Sequence, residues 1–134
     1  MYCFSTLTQF ADLREVVRAR LQLPSEADSE LLFVAVNEAV NNALIHGNQE
    51  DYNKKVHLAI QRFPREIRVT VRDEGEGMPA DAENLRDNPL GDHGRGMQII
   101  RSCVDNCWFD PYSRELIMVK QRNELTASCN VTAS

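Results

Sequence analysis

The sequence lacks the features that mark a membrane-bound or exported chain. None of its apolar runs approaches the length that crosses a bilayer, and the opening residues MYCFST contain neither a basic stretch nor a long apolar one. At 134 residues the chain has the size of one domain. We therefore expect a cytoplasmic protein that does not contact membranes.

A block rich in lysine and arginine is also missing. The chain has 20 acidic and 15 basic side chains, which gives a formal net charge of -5. Proteins that bind nucleic acid usually present a basic surface that neutralises phosphates. The composition therefore argues against direct binding to nucleic acid.

The cysteines lack the spacing of a zinc site. There are four of them, Cys3, Cys103, Cys107 and Cys129. Cys103 and Cys107 are four positions apart, and neither a histidine nor a second cysteine pair accompanies them. We expect buried or half-buried free thiols that behave as small apolar side chains, with no metal or redox role.

The apolar residues that are present predict alternating helices and strands. Short strands are expected around residues 2–6, 56–60, 67–71, 106–109 and 116–121, and helices over residues 9–23, 29–46 and from 94 onward. These elements place one domain at residues 1–122. Residues 123–134 are rich in Thr, Ser, Asn and Ala and are expected to form a flexible tail.

The second predicted helix carries an unusual polar stripe. Glu38, Asn42 and His46 are spaced at i, i+4 and i+8, so an α-helix places them on one face. Asparagine and histidine are poor helix formers, which argues against a stripe that serves solubility alone. A carboxylate one turn from a carboxamide can place a proton acceptor beside a neutral oxygen ligand for a hard cation, which suggests phosphate chemistry. His46 has a second interpretation, as a cap of the helix C-terminus.

A carboxylate ends the apolar face of the third predicted strand. The alternation of Ile67, Val69 and Val71 continues to Asp73, which therefore points between sheet and helices. A carboxylate there can accept a hydrogen bond from the adenine 6-amino group, and the glycines at 75 and 77 let backbone approach a flat ring. The same DxGxG pattern is also common in turns that bind nothing.

A second glycine pair opens the third predicted helix. Residues 78–93 are rich in Asp, Asn, Gly and Pro and are expected to form a lid. Gly94 and Gly96 then let the backbone wrap a phosphate at the positive end of the helix, where Arg95 can add a charged contact. Many such turns at helix starts bind no ligand, so this motif alone leaves both interpretations open.

Taken together, the three motifs resemble those of a known superfamily. Residues 38–47 (EAVNNALIHG), 72–78 (RDEGEGM) and 94–100 (GRGMQII) follow the order and spacing of the GHKL nucleotide-binding site. The group includes gyrase-type topoisomerases, mismatch-repair and chaperone ATPases, and histidine kinases. More closely, the motifs resemble those of bacterial anti-sigma-factor serine kinases, and the resemblance covers residues 4–122.

The resemblance implies a fold and a set of roles. The fold is a two-layer α/β sandwich (the Bergerat fold), in which a mixed, mostly antiparallel sheet is covered on one face by helices. Glu38 resembles the carboxylate that activates the attacking hydroxyl, Asn42 the Mg²⁺ ligand, and Asp73 the adenine-recognising aspartate. The other implied ATP-binding residues are Gly75 and Gly77 in the turn after Asp73, Met78, and Gly94, Arg95, Gly96 and Met97 around the phosphates. His46 and Gly47 match the pattern as supporting residues without an assigned role.

The implied function is that of an anti-sigma factor and serine/threonine kinase. Such a protein uses ATP and Mg²⁺, sequesters an RNA polymerase sigma factor, and phosphorylates an anti-anti-sigma protein; a homodimer is a further expectation. The alternative is a nucleotide-dependent module that sequesters a regulatory partner without phosphotransfer. Glu38 favours the kinase, because binding alone needs no base beside the metal ligand. The chain departs from the family pattern in two places: His93 stands where a basic residue is frequent, and the last strand begins Ser113-Arg114-Glu115-Leu116 without the Gly-Thr pair that is frequent there.

Overall fold

Alternating apolar residues build a five-stranded antiparallel sheet with helices packed on one face. The computed structural model describes residues 1–75 and 94–122, with the backbone alone for residues 94 and 95. The elements in these ranges are β1 (Tyr2–Phe4), α1 (Leu7–Arg20), α2 (Glu26–Asn42), a π-helical turn (Ala43–Gly47), β2 (Val56–Arg62), β3 (Glu66–Arg72), α3 (Gly94–Cys103), β4 (Asn106–Asp110) and β5 (Glu115–Gln121). The expected tail at residues 123–134 lies outside the described residues.

The strand order is β1-β2-β3-β5-β4, and each neighbouring pair is antiparallel. The central strand β3 therefore pairs with β2 on one side and with the last strand, β5, on the other. In the register of β3 with β5, Arg72 lies opposite Glu115. This arrangement confirms the predicted two-layer α/β sandwich, and the described part of its sheet is antiparallel throughout.

The core lies between the sheet and the helices. The predicted inward rows of β2 and β3 are buried, and so is the predicted stripe of α2. Met97 and Ile100 on the predicted inner face of α3 are buried, and so is Val104, which directly follows the helix. The buried residues of the strand rows are Val56, Leu58, Ile60, Ile67, Val69 and Val71. Those of the helical stripe are Leu32, Ala35, Val36 and Ala39 in α2 and Ala43 in the turn that follows it.

The first two helices begin earlier than their apolar patterns predict. Thr6 caps α1, and its hydroxyl accepts a hydrogen bond from the Gln9 backbone N–H at 3.1 Å. Ser25 caps α2 in the same way, accepting from Asp28 N–H at 3.2 Å. Such caps satisfy backbone donors that an apolar pattern does not report, so both predicted starts were a few residues late.

The expectation that all the cysteines are buried or half-buried was wrong for one of them. Cys103 is buried and Cys107 is half-buried, whereas Cys3 is exposed on the edge strand β1, and all three are free thiols. Burial raises the pKa of the Cys107 thiol, because an apolar environment disfavours the thiolate. Cys129 lies outside the described residues. None of the helices in the described ranges is long and apolar enough to span a membrane.

Candidate functional site

The C-terminal end of α2 lies against the first turn of α3. A Cβ atom placed on Gly96 would lie 3.0 Å from Asn42 Nδ2 and 3.5 Å from Glu38 Oε1. The two polar side chains therefore share one small space beside the N-terminus of α3, as their helical spacing predicts. A side chain at position 96 would fill that space, which explains the glycine. The free N–H groups of this helix end and its dipole favour an anion in the same place.

Asn42 has spare capacity for a ligand. Its Nδ2 atom is buried and has no hydrogen-bond partner among the residues that the structure describes. Buried amide groups normally find partners, so an unpartnered N–H donor suggests a bound acceptor, such as a phosphate oxygen. A carboxamide oxygen is a suitable ligand for Mg²⁺, which commonly combines one or two protein oxygens with substrate phosphates. Within residues 1–75 and 94–122 there is no cluster of three acidic, histidine or cysteine side chains that could hold a metal.

The helix changes its geometry directly after Asn42. Residues Ala43–Gly47 form a π-helical turn, and the backbone N–H of Asn48 donates to the Ala43 carbonyl at 2.8 Å, a spacing of five residues. An extra residue per turn shifts every later side chain around the helix. The prediction that His46 lies on one stripe with Glu38 and Asn42 assumed α-helical spacing throughout, and it stays a prediction. His46 is half-buried within this turn.

The π-helical turn ends with Gly47 against Asp73. A Cβ at Gly47 would overlap the Asp73 carboxylate and would lie 2.9 Å from the Asp73 Cβ. Asp73 directly follows β3 and is only 8% exposed, as the continued alternation of the inner row predicts. Gly75 packs in turn against the carbonyl of Gly47. These contacts assign Gly47 a role that its sequence motif does not reveal: it leaves room for the buried carboxylate.

Arg114 is the ionic partner of Asp73. Arg114 Nε donates to Asp73 Oδ1 at 2.5 Å, and a second guanidinium nitrogen lies 3.4 Å from Oδ2. In the sequence, this position stands out only as a departure from the family pattern, without an assigned role. The strand register explains the contact. Because Arg72 pairs with Glu115, Asp73 directly after β3 and Arg114 directly before β5 are neighbours.

A buried asparagine connects the two chain segments around Asp73. Asn48 is 1% exposed; its Oδ1 accepts from Glu74 N–H at 2.8 Å, and its Nδ2 donates to the Lys55 carbonyl at 3.1 Å. Asn48 directly follows Gly47, and Glu74 directly follows Asp73. The hydrogen bond between them therefore holds these two chain segments together. Sequence reasoning missed it, although its position directly after the motif EAVNNALIHG is a signal.

Glu74 completes this support on the other face of the sheet. Its carboxylate lies 2.6 Å from His57 Nε2 and accepts from the Lys55 backbone N–H at 3.0 Å. The hydrogen bond with His57 lowers the pKa of Glu74, helped by the backbone donor. His57 Nδ1 lies 3.2 Å from the Cys3 thiol. A hydrogen-bonded chain thus runs from the edge strand to the residue after Asp73.

The remaining predicted residues divide between described and undescribed parts of the chain. Gly94, Arg95, Gly96 and Met97 form the first turn of α3, and Met97 is buried in the core. The role of the Arg95 side chain stays a prediction. Gly77, Met78, His93 and the expected lid lie outside the described residues.

Comparisons with known proteins show which family the chain belongs to. The anti-sigma F factor of Bacillus velezensis is 29% identical over an alignment of 139 positions, which covers 95% of this chain and 94% of that protein. The anti-sigma F factor of Bacillus subtilis strain 168 shows the same identity and coverage. The anti-sigma F factor of Shouchella clausii is 44% identical over 51 residues, or 38% of this chain and 34% of that protein. The family model of the histidine kinase-like ATPase domain matches residues 4–120, so the chain belongs to that family.

Proposed function

We propose that this protein is an ATP-dependent anti-sigma factor that is also a serine/threonine kinase. It binds ATP with Mg²⁺, sequesters an RNA polymerase sigma factor, and phosphorylates an anti-anti-sigma protein. Membership of an ATPase domain family supports nucleotide binding. The anti-sigma F factors that match nearly the whole chain support a sigma factor as its partner.

The observation that carries the kinase proposal is the pair of side chains at Gly96. Glu38 and Asn42 approach the same point at the N-terminus of α3, where a phosphate chain is favoured. A protein that only binds ATP needs an oxygen ligand and a helix end, but it does not need a carboxylate beside them. Glu38 is therefore the residue that favours transfer over binding alone.

The proposed reaction needs one proton transfer, from the acceptor hydroxyl to the protein. The hydroxyl oxygen of the acceptor serine attacks the γ-phosphorus, the bond from that phosphorus to the β-phosphate oxygen breaks, and ADP leaves. The hydroxyl proton passes to the Glu38 carboxylate. Mg²⁺, when bound at Asn42, offsets negative charge on the triphosphate. The backbone N–H groups of the first turn of α3 hold the phosphates in position.

The experiment is a transfer assay with a binding assay beside it. The protein is incubated with ATP labelled at the γ-phosphate, Mg²⁺, and candidate anti-anti-sigma proteins of the same genome, and retention of candidate sigma factors is measured with and without ATP. We expect label on a serine or threonine of one candidate and ATP-dependent retention of one sigma factor. Retention without any transfer would favour the binding module, and a protein that binds no ATP would contradict the proposal altogether.

A further inference from the structure

The two oxygens of the buried Asp73 carboxylate have different surroundings. Oδ1 accepts from Arg114 Nε at 2.5 Å and from the Gly75 backbone N–H at 2.9 Å. Among the described residues, Oδ2 has one polar contact, a long one of 3.4 Å to a terminal guanidinium nitrogen, and it is the atom nearest to a Cβ placed on Gly47. A carboxylate oxygen can accept about two hydrogen bonds, so Oδ1 is occupied whereas Oδ2 has capacity for a ligand.

Arg114 is held in place by its turn and by its backbone. Its φ of 60° lies in the left-handed region, which is uncommon for a residue with a long side chain. The preceding turn is fixed by the Asp110 carboxylate, which accepts from Tyr112 N–H at 2.9 Å and from Ser113 N–H at 3.4 Å. A non-glycine residue keeps such a conformation where its surroundings determine it, and functional sites are frequent examples. Here the conformation directs the guanidinium at Asp73.

We propose that Arg114 is a positioning residue that determines base selectivity by fixing the orientation of Asp73. With Oδ1 held by Arg114 and Gly75, Oδ2 is the acceptor available to a 6-amino group on a purine. A 6-oxo purine would instead place a second acceptor against Oδ2, which is unfavourable. This inference rests on the proposed ATP site. It adds to that site a positioning role for Arg114, which lies where the family frequently has a Gly-Thr pair.

Two substitutions test the role of Arg114 without imposing backbone strain. Arg114→Asn suits the left-handed conformation better than most residues, and Arg114→Gly adopts it freely. Calorimetry compares ATP with purine riboside 5′-triphosphate, which lacks only the 6-amino group. We expect the wild-type protein to prefer ATP. Both variants should lose about ten- to a hundredfold in ATP affinity, the range expected for a hydrogen bond to a charged group, while binding of the analogue stays nearly constant.

Tyr112→Ala is the matched control. Tyr112 belongs to the same turn, but its side chain is 89% exposed, so this variant should retain the wild-type selectivity. Thermal unfolding of all the variants shows whether they are folded at the assay temperature.

A double-mutant cycle shows whether Arg114 acts through Asp73. In an Asp73→Asn background, Arg114→Asn should have little further effect on ATP affinity, because the two residues act as a unit. Equal losses for both nucleotides in the Arg114 variants would indicate a purely structural role and overturn the inference. Tighter ATP binding would also overturn it, since Arg114 would then compete with the base. A wild-type protein that binds neither nucleotide would instead refute the proposed function itself.

Discussion

Gly47 and Asp73 are packed so closely that position 47 has no space for a side chain. The Cβ of an alanine there would overlap the carboxylate and would lie 2.9 Å from the Asp73 Cβ. Only glycine fits at position 47. Gly47, the last residue of the π-helical turn, therefore sets the position of the proposed base-recognition carboxylate. The Ala43–Gly47 turn therefore links Asn42 at one end to Asp73 at the other.

The first prediction concerns Gly47→Ala. We expect this variant to lower the free energy of unfolding by about 1–3 kcal/mol, as overpacking does elsewhere, and to weaken ATP binding because Asp73 is displaced. Urea unfolding and calorimetry measure the two effects. Ile45→Ala is the control, since Ile45 belongs to the same turn but is exposed. An unchanged ATP affinity in a folded Gly47→Ala protein would show that the contact does not position Asp73.

The sequence predicted those parts of the site that depend on local periodicity. Asp73 lies on the inner face because the alternation of Val69 and Val71 continues for one more step, and a strand has no alternative period. Glu38 and Asn42 share a face because α2 is regular up to Asn42.

The parts that sequence reasoning missed depend on contacts between distant segments. The turn after Asn42 is π-helical, and no local pattern in the sequence reports that geometry. Arg114 is 41 residues from Asp73 in sequence, and they meet only because β5 pairs with β3 in one register. Strand order and register are set by the whole sheet, so local patterns alone could not identify this pair.

The second prediction separates metal binding from nucleotide binding at Asn42. Asn42→Ala should weaken ATP binding measured with Mg²⁺ by roughly tenfold or more, since even groups that only support metal ligands contribute that much to metal affinity. Binding measured in EDTA should change little, because the nucleotide then makes no contact through the cation. Calorimetry of the wild-type protein and the variant, with Mg²⁺ and in EDTA, measures the loss of ATP affinity under each condition. Equal losses with and without Mg²⁺ would assign Asn42 to the nucleotide itself.

The third prediction isolates the proposed base. Glu38→Gln keeps the shape of the side chain but cannot take a proton, so ATP binding should persist while phosphate transfer falls by about a hundred- to ten-thousandfold. Transfer of labelled phosphate under single-turnover conditions measures the rate. Glu30→Gln is the matched control on the same helix, because Glu30 pairs with Arg18 rather than facing the site. Retained transfer in Glu38→Gln would exclude Glu38 as the base.

The fourth prediction uses the pKa of Glu74, which the hydrogen bond with His57 holds below its ordinary value of 4.5. A carboxyl group with a lowered pKa in the folded state stabilises the fold at pH values above its unfolded pKa, and this contribution is lost as the pH falls through the folded pKa. Wild-type protein should therefore be more stable than Glu74→Gln at neutral pH. The difference should shrink progressively once the pH falls below 4.5.

Urea unfolding of the two proteins on both sides of that pH measures the effect. Because Glu74 follows Asp73 and its backbone N–H is held by Asn48, the variant also tests whether the hydrogen-bonded chain from Cys3 supports the base site. We expect a modest loss of ATP affinity at neutral pH in Glu74→Gln, since Asn48 keeps its own bond to the backbone. Glu66→Gln is the control, because Glu66 pairs with Arg68 at the opposite end of β3. A stability difference that does not change with pH would show that the Glu74–His57 hydrogen bond does not stabilise the folded state.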